Sequence, residues 1–372
     1  MSSDNLKSLF GGKELTRRHF HTLLASAGIV AASTRSRLAY ADQKQLEVFT
    51  WANYDQKEQY AAYMAKHQQA PSFSILTEND QARAKIRSGY HPDVVTPTEN
   101  YVPFFVKDGL LAPIDTTKLT HWDEILKPLR DQNAAAGPNG ERYFVPWVWG
   151  TNGVVFRKAA APEYVDNPTW NILWDPKLKG KIALRDAPNA TIIPAALIAG
   201  AKDPYDLTDD ELKAVGELLR KQRELVRFYW TTEAEVQQAL SSGEIDAAYG
   251  WNSTYAGLKE RNVPVDYLVP KEGMPIWIDG FSLVKGGTAD EQLKYDYLDA
   301  VLSAETGAFN ISKLYYGSSN EKSFSMVSPE ILARLGFDKL DQIMKHGLWA
   351  KAVPQATLRK MVALHNRIKS GF

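Results

Sequence analysis

An α/β fold with a mostly parallel sheet, divided into two lobes, is what this sequence predicts, and three observations carry the prediction. Short apolar or alternating runs are followed repeatedly by stretches with helical periodicity. Those runs end in loops rich in aromatic and polar residues, Trp51-Ala52-Asn53-Tyr54 and the stretch 96–100, where open parallel sheets hold ligands. The apolar, glycine-bearing run 148–156 suits a strand that crosses from one lobe to another.

Taken in order, residues 45–48 alternate polar and apolar side chains and continue through Phe49 and Thr50 as a strand, and 57–66 carries a helical pattern. Residues 72–77 form the next expected strand, 81–87 a helix, and 93–95 a third strand that opens into the loop 96–100. Past the crossing run, 170–178 is expected as a helix closed by Gly180, 181–185 as a buried strand and 192–201 as an apolar helix. Thr208 is placed to cap a helix over 209–223. Strands at 228–232 and 247–250 flank a helix at 233–240. The run 281–285 is expected to return to the first lobe, and helices over 290–303, 305–314 and 355–369 complete the chain. The first lobe is then 42–150 with about 278–320, and the second 151–277 with about 321–372.

The first 41 residues stand outside this fold. Thr16-Arg17-Arg18-His19-Phe20, the uncharged run 22–33 and the small-residue site Ala39-Tyr40-Ala41 have the order of a cleaved twin-arginine leader, which predicts a periplasmic protein. The 44 basic and 44 acidic residues of the whole chain become 38 and 42 once the leader's six basic and two acidic residues are set aside. A mildly acidic chain without a basic run has no electrostatic footprint for nucleic acid. With no cysteine, disulfides, thiolate metal sites and cysteine nucleophiles are excluded, and stability must come from apolar burial.

The chemistry concentrates at Trp277-Ile278-Asp279, close after Gly250-Trp251-Asn252-Ser253. Two indole faces and a carboxylate are the residue types that hold an organic ammonium. Cation–π contact contributes about 0.5–2 kcal/mol, and the carboxylate adds charge-assisted hydrogen bonds. Asp279 stands in an apolar neighbourhood, so it needs a partner whatever its purpose.

The landmarks 51–54, 93–101, 145–150, 180–186, Trp251-Asn252-Ser253, 270–279 and 316–320 resemble, in the same order, the periplasmic spermidine/putrescine-binding family of ABC importers. The resemblance covers nearly the whole chain after the leader. It implies a two-lobed type II periplasmic binding protein fold with an interlobe ligand cleft. It implies a monomer without catalysis or cofactor that passes a small amine-containing ligand to an inner-membrane ABC permease. Residue by residue, Trp51 and Tyr54 match the family's first aromatic pair, Trp251 its central indole, Trp277 and Asp279 the indole and carboxylate that take an amino group, and Tyr316 a further tyrosine. The loop with Thr98, Glu99 and Tyr101 completes the expected ligand-binding set.

The chain departs from that pattern after residue 180. Where the family carries two acidic residues three apart, Ala187 and Ala190 stand here, and Ala350 occupies the place of a glutamine. A one-residue slip brings Asp186 to the first acidic position. Arg185 now ends the strand. A guanidinium facing Asp279 suits a ligand with an ammonium at one end and a carboxylate at the other, an ω-amino acid such as 4-aminobutyrate or 5-aminovalerate. Two alternatives stay open: Arg185 pairs with Asp186 on the surface, or Glu99 supplies the lost carboxylate and keeps a putrescine or spermidine site. Two other classes compete. Tyr315-Tyr316 resembles the phenolate pair of periplasmic ferric-ion binders, and stacked aromatics with carboxylates suit a glycosidase. Against an enzyme, the chain has no HExxH, nucleophile elbow, phosphate loop or dinucleotide glycine pattern, and its histidines are scattered.

Overall fold

The computed structural model describes residues 44–131, 137 and 140–371, so the expected leader lies outside the described residues. Three short strands, β1 (Glu47–Thr50), β2 (Ser72–Ile75) and β3 (Val94–Val95), pair in parallel, with β1 in the middle. The helical stretches 57–67 and Asn79–Arg87 lie between them in the chain, as the change from two-residue to helical periodicity requires. After the short β4 (Leu111–Ala112) comes the crossing strand β5 (Val145–Arg157), buried along twelve of its thirteen residues. That burial on both faces is why it reads as one apolar run.

A second parallel trio follows: β6 (Ile182–Arg185) between β7 (Val226–Trp230) and β8 (Ala247–Trp251). The hairpin-like β9 (Val265–Leu268) pairs with the end of β5, and β10 (Met274–Val284) then runs back to the first trio. Short strands β11 (Gly317–Ser318) and β12 (Gly347–Trp349) join β5 and β10. The order β2-β1-β3-β10-β5-β8-β6-β7 places one antiparallel crossing strand beside each trio and pairs the two crossing strands with each other. β5 changes partner midway, from β10 along 145–151 to β8 along 152–156.

Packing follows the same division. One buried cluster collects side chains from 46–149 and 276–337, another those from 154–268, and a third joins Ile192, Val215 and Leu219 to Met361, Leu364 and Ile368 of the last helix, Gln355–Ser370. Residues 321–372, expected together in the second lobe, part company: Val327, Leu335 and Phe337 join the first cluster, while 353–368 join the third. Thr208 caps the helix Asp209–Arg223 through a reciprocal box, accepting from Glu211 N (3.3 Å) while Glu211 accepts from Thr208 N (2.8 Å).

Two local expectations are corrected. Residues 170–178 form two 3₁₀ turns, Trp170–Trp174 and Pro176–Leu178, because Thr169 and Asp175 each cap a new turn and Pro176 has no N–H to continue the first. The return strand begins at Met274 and not at 281, so Trp277 and Asp279 are part of it.

Candidate functional site

The carboxyl ends of the parallel strands supply most of the expected ligand-binding residues: Trp51 and Tyr54 follow β1, Thr98 follows β3, Arg185 ends β6 and Trp251 ends β8. The crossing strand β10 contributes Trp277 and Asp279, and Tyr316 precedes β11. Tyr54, Asp279, Tyr316 and Trp277 meet near the middle of the sheet, where the crossing strands pair, and Arg185 meets Trp251.

Asp279 sits at a bulge in the β5–β10 ladder, between the pairs Asp279↔Val148 and Gly280↔Pro146. Bulges re-aim a side chain, and glycine permits this one: a Cβ on Gly280 would meet the Val145 carbonyl and the Phe144 ring. Asp279 is 8% exposed. Tyr54 donates its hydroxyl to Asp279 Oδ2 at 2.8 Å, and Thr98 pairs with Asp279 across an isolated bridge. Asn79 steadies Thr98 by accepting from its backbone N–H (3.0 Å) and donating to its hydroxyl (3.1 Å). Burial pushes the Asp279 carboxyl up to about 6, against the pull of the Thr98 and Tyr54 hydroxyls and the Arg185 charge. The Tyr54 hydroxyl is raised well above the usual phenol range, by burial first and by Asp279 second.

Arg185 faces inward. Its guanidinium carbon stands 4.9 Å from the centre of the Trp251 ring, and its charge acts on Asp279, Tyr101 and Tyr316. Trp251 is held edge-on by Trp230, centroids 5.2 Å apart. Trp277 lies over Gly150, where any Cβ would run into its ring, and meets Tyr316 edge-to-face at 5.0 Å. Tyr316 also meets Tyr54 at 6.3 Å. Its direction is set one residue earlier. Tyr315 holds a left-handed backbone (φ 61°) after the π-helical turn Asn310–Leu314, and its carbonyl accepts from Asn252 Nδ2 at 2.6 Å. Asn252 Oδ1 in turn accepts from Thr151 N at 3.0 Å, beside the point where β5 changes partner. The buried indole N–H groups of Trp51 and Trp277 have no hydrogen-bond partner among the described residues.

Three sequence expectations come apart at this level. Glu99 is 3% exposed, one of its carboxyl oxygens has no hydrogen-bond partner among the described residues, and burial pushes its carboxyl up to about 8 against the pull of the Arg142 charge. Glu99 directly follows Thr98, the residue that bridges Asp279, and no hydrogen bond joins it to Asp279 or Arg185 among the described residues. Asp186 turns outward to Lys369 (2.7 Å) and His365 (3.1 Å), so it is neither the partner of Arg185 nor an anchor in the cleft. Tyr315 and Tyr316 diverge: the first bonds Glu260 and lies beneath Arg334, the second joins Trp277 and Tyr54. The phenol pair does not converge on a common metal.

Residues 46–331 match the family model of the bacterial extracellular solute-binding proteins. The chain is a member of that family. Among curated proteins it is similar to the putrescine-binding periplasmic protein SpuD of Pseudomonas aeruginosa (strain UCBPP-PA14), at 26% identity over 96% of this chain and 100% of the relative. It is also similar to the putrescine-binding periplasmic protein PotF of Escherichia coli (strain K12), at 24% identity over 82% of this chain and 85% of that one. Among solved structures it superposes on the spermidine/putrescine ABC transporter substrate-binding protein PotD of Streptococcus pneumoniae strain Canada MDR_19A, with a TM-score of 0.75, 19% identity, and coverage of 88% of this chain and 99% of that one. The architecture is that of type II periplasmic binding proteins. This solute-binding protein is periplasmic and serves transport without catalysis.

The structure also adds residues that sequence reading passed over. Glu233, at the start of the helix after β7, accepts from Ser253 (2.8 Å) and Thr254 (2.6 Å), and after burial its charge helps to hold the Tyr316 hydroxyl above the usual phenol range. Its place beyond a parallel strand's carboxyl end was a usable signal, but acidic residues at helix starts are common for reasons of capping alone. Asn252 and Gly150 act by placing other side chains, a role that no composition signal reveals.

Proposed function

We propose that this solute-binding protein is the capturing component of an ABC importer for a small amine-containing solute, and that the solute is an ω-amino acid such as 4-aminobutyrate or 5-aminovalerate. The Asp279 carboxylate, steadied by Tyr54 and Thr98, takes the ammonium, with Trp277, Trp251 and Tyr316 as its aromatic walls and Trp51, Tyr54 and Tyr101 beside them. Lobe closure about β5 and β10 sequesters the ligand and presents the closed form to the inner-membrane permease.

One observation carries the preference for an amino acid. Arg185 places a fixed positive charge over the Trp251 indole and within electrostatic reach of Asp279. A second ammonium in that place would meet like charge, whereas a carboxylate gains a bidentate partner. The unpartnered indole N–H donors of Trp51 and Trp277 favour the same reading, since a diamine has no acceptor atoms to offer them. Putrescine is the second reading, favoured by the names of the curated relatives and by the aromatic, carboxylate-bearing cleft.

The test is calorimetric titration of protein unfolded and refolded to strip bound solute, comparing the native sequence with Arg185→Met. Loss of a charge-assisted pair worth about 1.5–3 kcal/mol weakens 5-aminovalerate by about ten- to a hundredfold and leaves putrescine unchanged or tighter. Equal losses for both ligands would remove Arg185 from ligand recognition.

A further inference from the structure

Three charged side chains border the aromatic cluster of the site: Asp279 accepts from Tyr54, Arg185 stands over Trp251, and Glu233 accepts from Ser253, two residues after Trp251. An ω-amino acid with one ammonium and one carboxylate matches two of them, Asp279 and Arg185, and leaves Glu233 unanswered. Glu233 is half-buried on the second lobe, and Ser253, which it holds at 2.8 Å, is in hydrogen-bonding reach of the Tyr316 hydroxyl. Both bonds to Glu233 fall on Oε1; Oε2 accepts none among the described residues. Arg185 ends β6 and Glu233 follows the end of β7, and those strands are paired so that Arg185 lies opposite Trp230, three residues before Glu233. A cation and an anion at neighbouring strand ends form a pair of sites, one for a carboxylate and one for an ammonium, suited to groups carried close together on one ligand.

We propose that Glu233 is a specificity-determining residue of the cleft that reads a second ammonium next to the ligand's carboxylate, so that the preferred solute is a diamino monocarboxylic acid with its terminal ammonium on Asp279. This rests on the reading of Asp279 and Arg185 given above. It separates two compounds that differ in one group, ornithine and 5-aminovalerate, which is ornithine without the α-amino group. A residue that only caps the helix Glu233–Ser242 and holds Ser253 and Thr254 has no means of telling them apart.

The experiment measures the affinities of ornithine, 5-aminovalerate and putrescine for the stripped protein and for Glu233→Gln, which keeps an acceptor for Ser253 and Thr254 but removes the charge. In the native sequence ornithine binds at least tenfold tighter than 5-aminovalerate, and in Glu233→Gln the ratio falls to near one while 5-aminovalerate holds its affinity. A native ratio near one, or a ratio that Glu233→Gln leaves unchanged, overturns the role of Glu233 and leaves Asp279 and Arg185 standing. Binding of putrescine with neither amino acid overturns this proposal together with the reading beneath it. If Glu233→Gln does not fold by circular dichroism, Glu233→Asp supplies the same comparison: the shortened acid lowers the ratio if Glu233 reads the ligand and leaves it unchanged if it does not.

Discussion

Lowering the pH from 7 to 5 removes the charge on which ammonium capture depends. The Asp279 carboxyl is raised by burial to about 6, so it is about nine-tenths ionised at pH 7 and about one-tenth ionised at pH 5. Only the ionised form pairs with an ammonium. Apparent affinity for any amine ligand should therefore fall about tenfold over those two units, and binding near pH 6 should release a proton. The same shift sets the sign for stability. A carboxyl whose folded pKa lies above its unfolded one contributes stability that is fully present below about 4 and lost as pH rises through about 6. The loss is at most about 3 kcal/mol, and a bound ammonium restores it. Calorimetry at pH 5, 6, 7 and 8, repeated in two buffers of different ionisation enthalpy, reads both the affinity and the proton. Asp279→Asn should abolish the pH dependence along with most of the affinity while the fold persists. Affinity that stays flat from pH 5 to 7 would refute the assignment of Asp279 as the ammonium anchor.

Two further outcomes follow from the geometry. Glu99, with its carboxyl raised by burial to about 8, withdraws stability as pH rises through that value, so Glu99→Gln should gain several degrees in thermal midpoint over the native sequence between pH 5 and pH 9, and ligand affinity should not change; a drop in affinity would return Glu99 to the cleft. Gly150→Ala puts a methyl group into the Trp277 ring and within 2.9 Å of Asn252 Oδ1, overpacking that typically costs about 1–3 kcal/mol of stability unless the indole shifts. A shifted indole should lower affinity in a variant whose circular dichroism is unchanged; native affinity in that variant would show that Trp277 is not placed by its contact with Gly150.

The alternation of β1, β2 and β3 with helical stretches, the capped helix at Thr208 and the apolar crossing run were legible because each depends on periodicity or on a capping residue within one turn. The stretch 170–178 was misread for the same local reason in reverse: its apolar content resembles a helix, and only the caps at Thr169 and Asp175 divide it. The return strand began earlier than expected because Met274 to Ile276 pair with β12, a partner more than seventy residues away in the chain.

The inventory of the cleft was written in residue types. Indoles and a carboxylate next to one another announce an ammonium site whatever the backbone does, since their attraction for a cation belongs to the groups themselves. Direction was not written there. That Arg185 turns toward Trp251 while Asp186, just past the end of β6, turns to Lys369 and His365 follows from where the distant helix Gln355–Ser370 packs, against the helical segments of 192–219. That Glu99 is buried and that Glu233 holds Ser253 and Thr254 follows from long-range packing. Side-chain chemistry is a property of each residue alone, but which charges face one another depends on contacts between residues far apart in the chain, and those exist only once the lobes have folded.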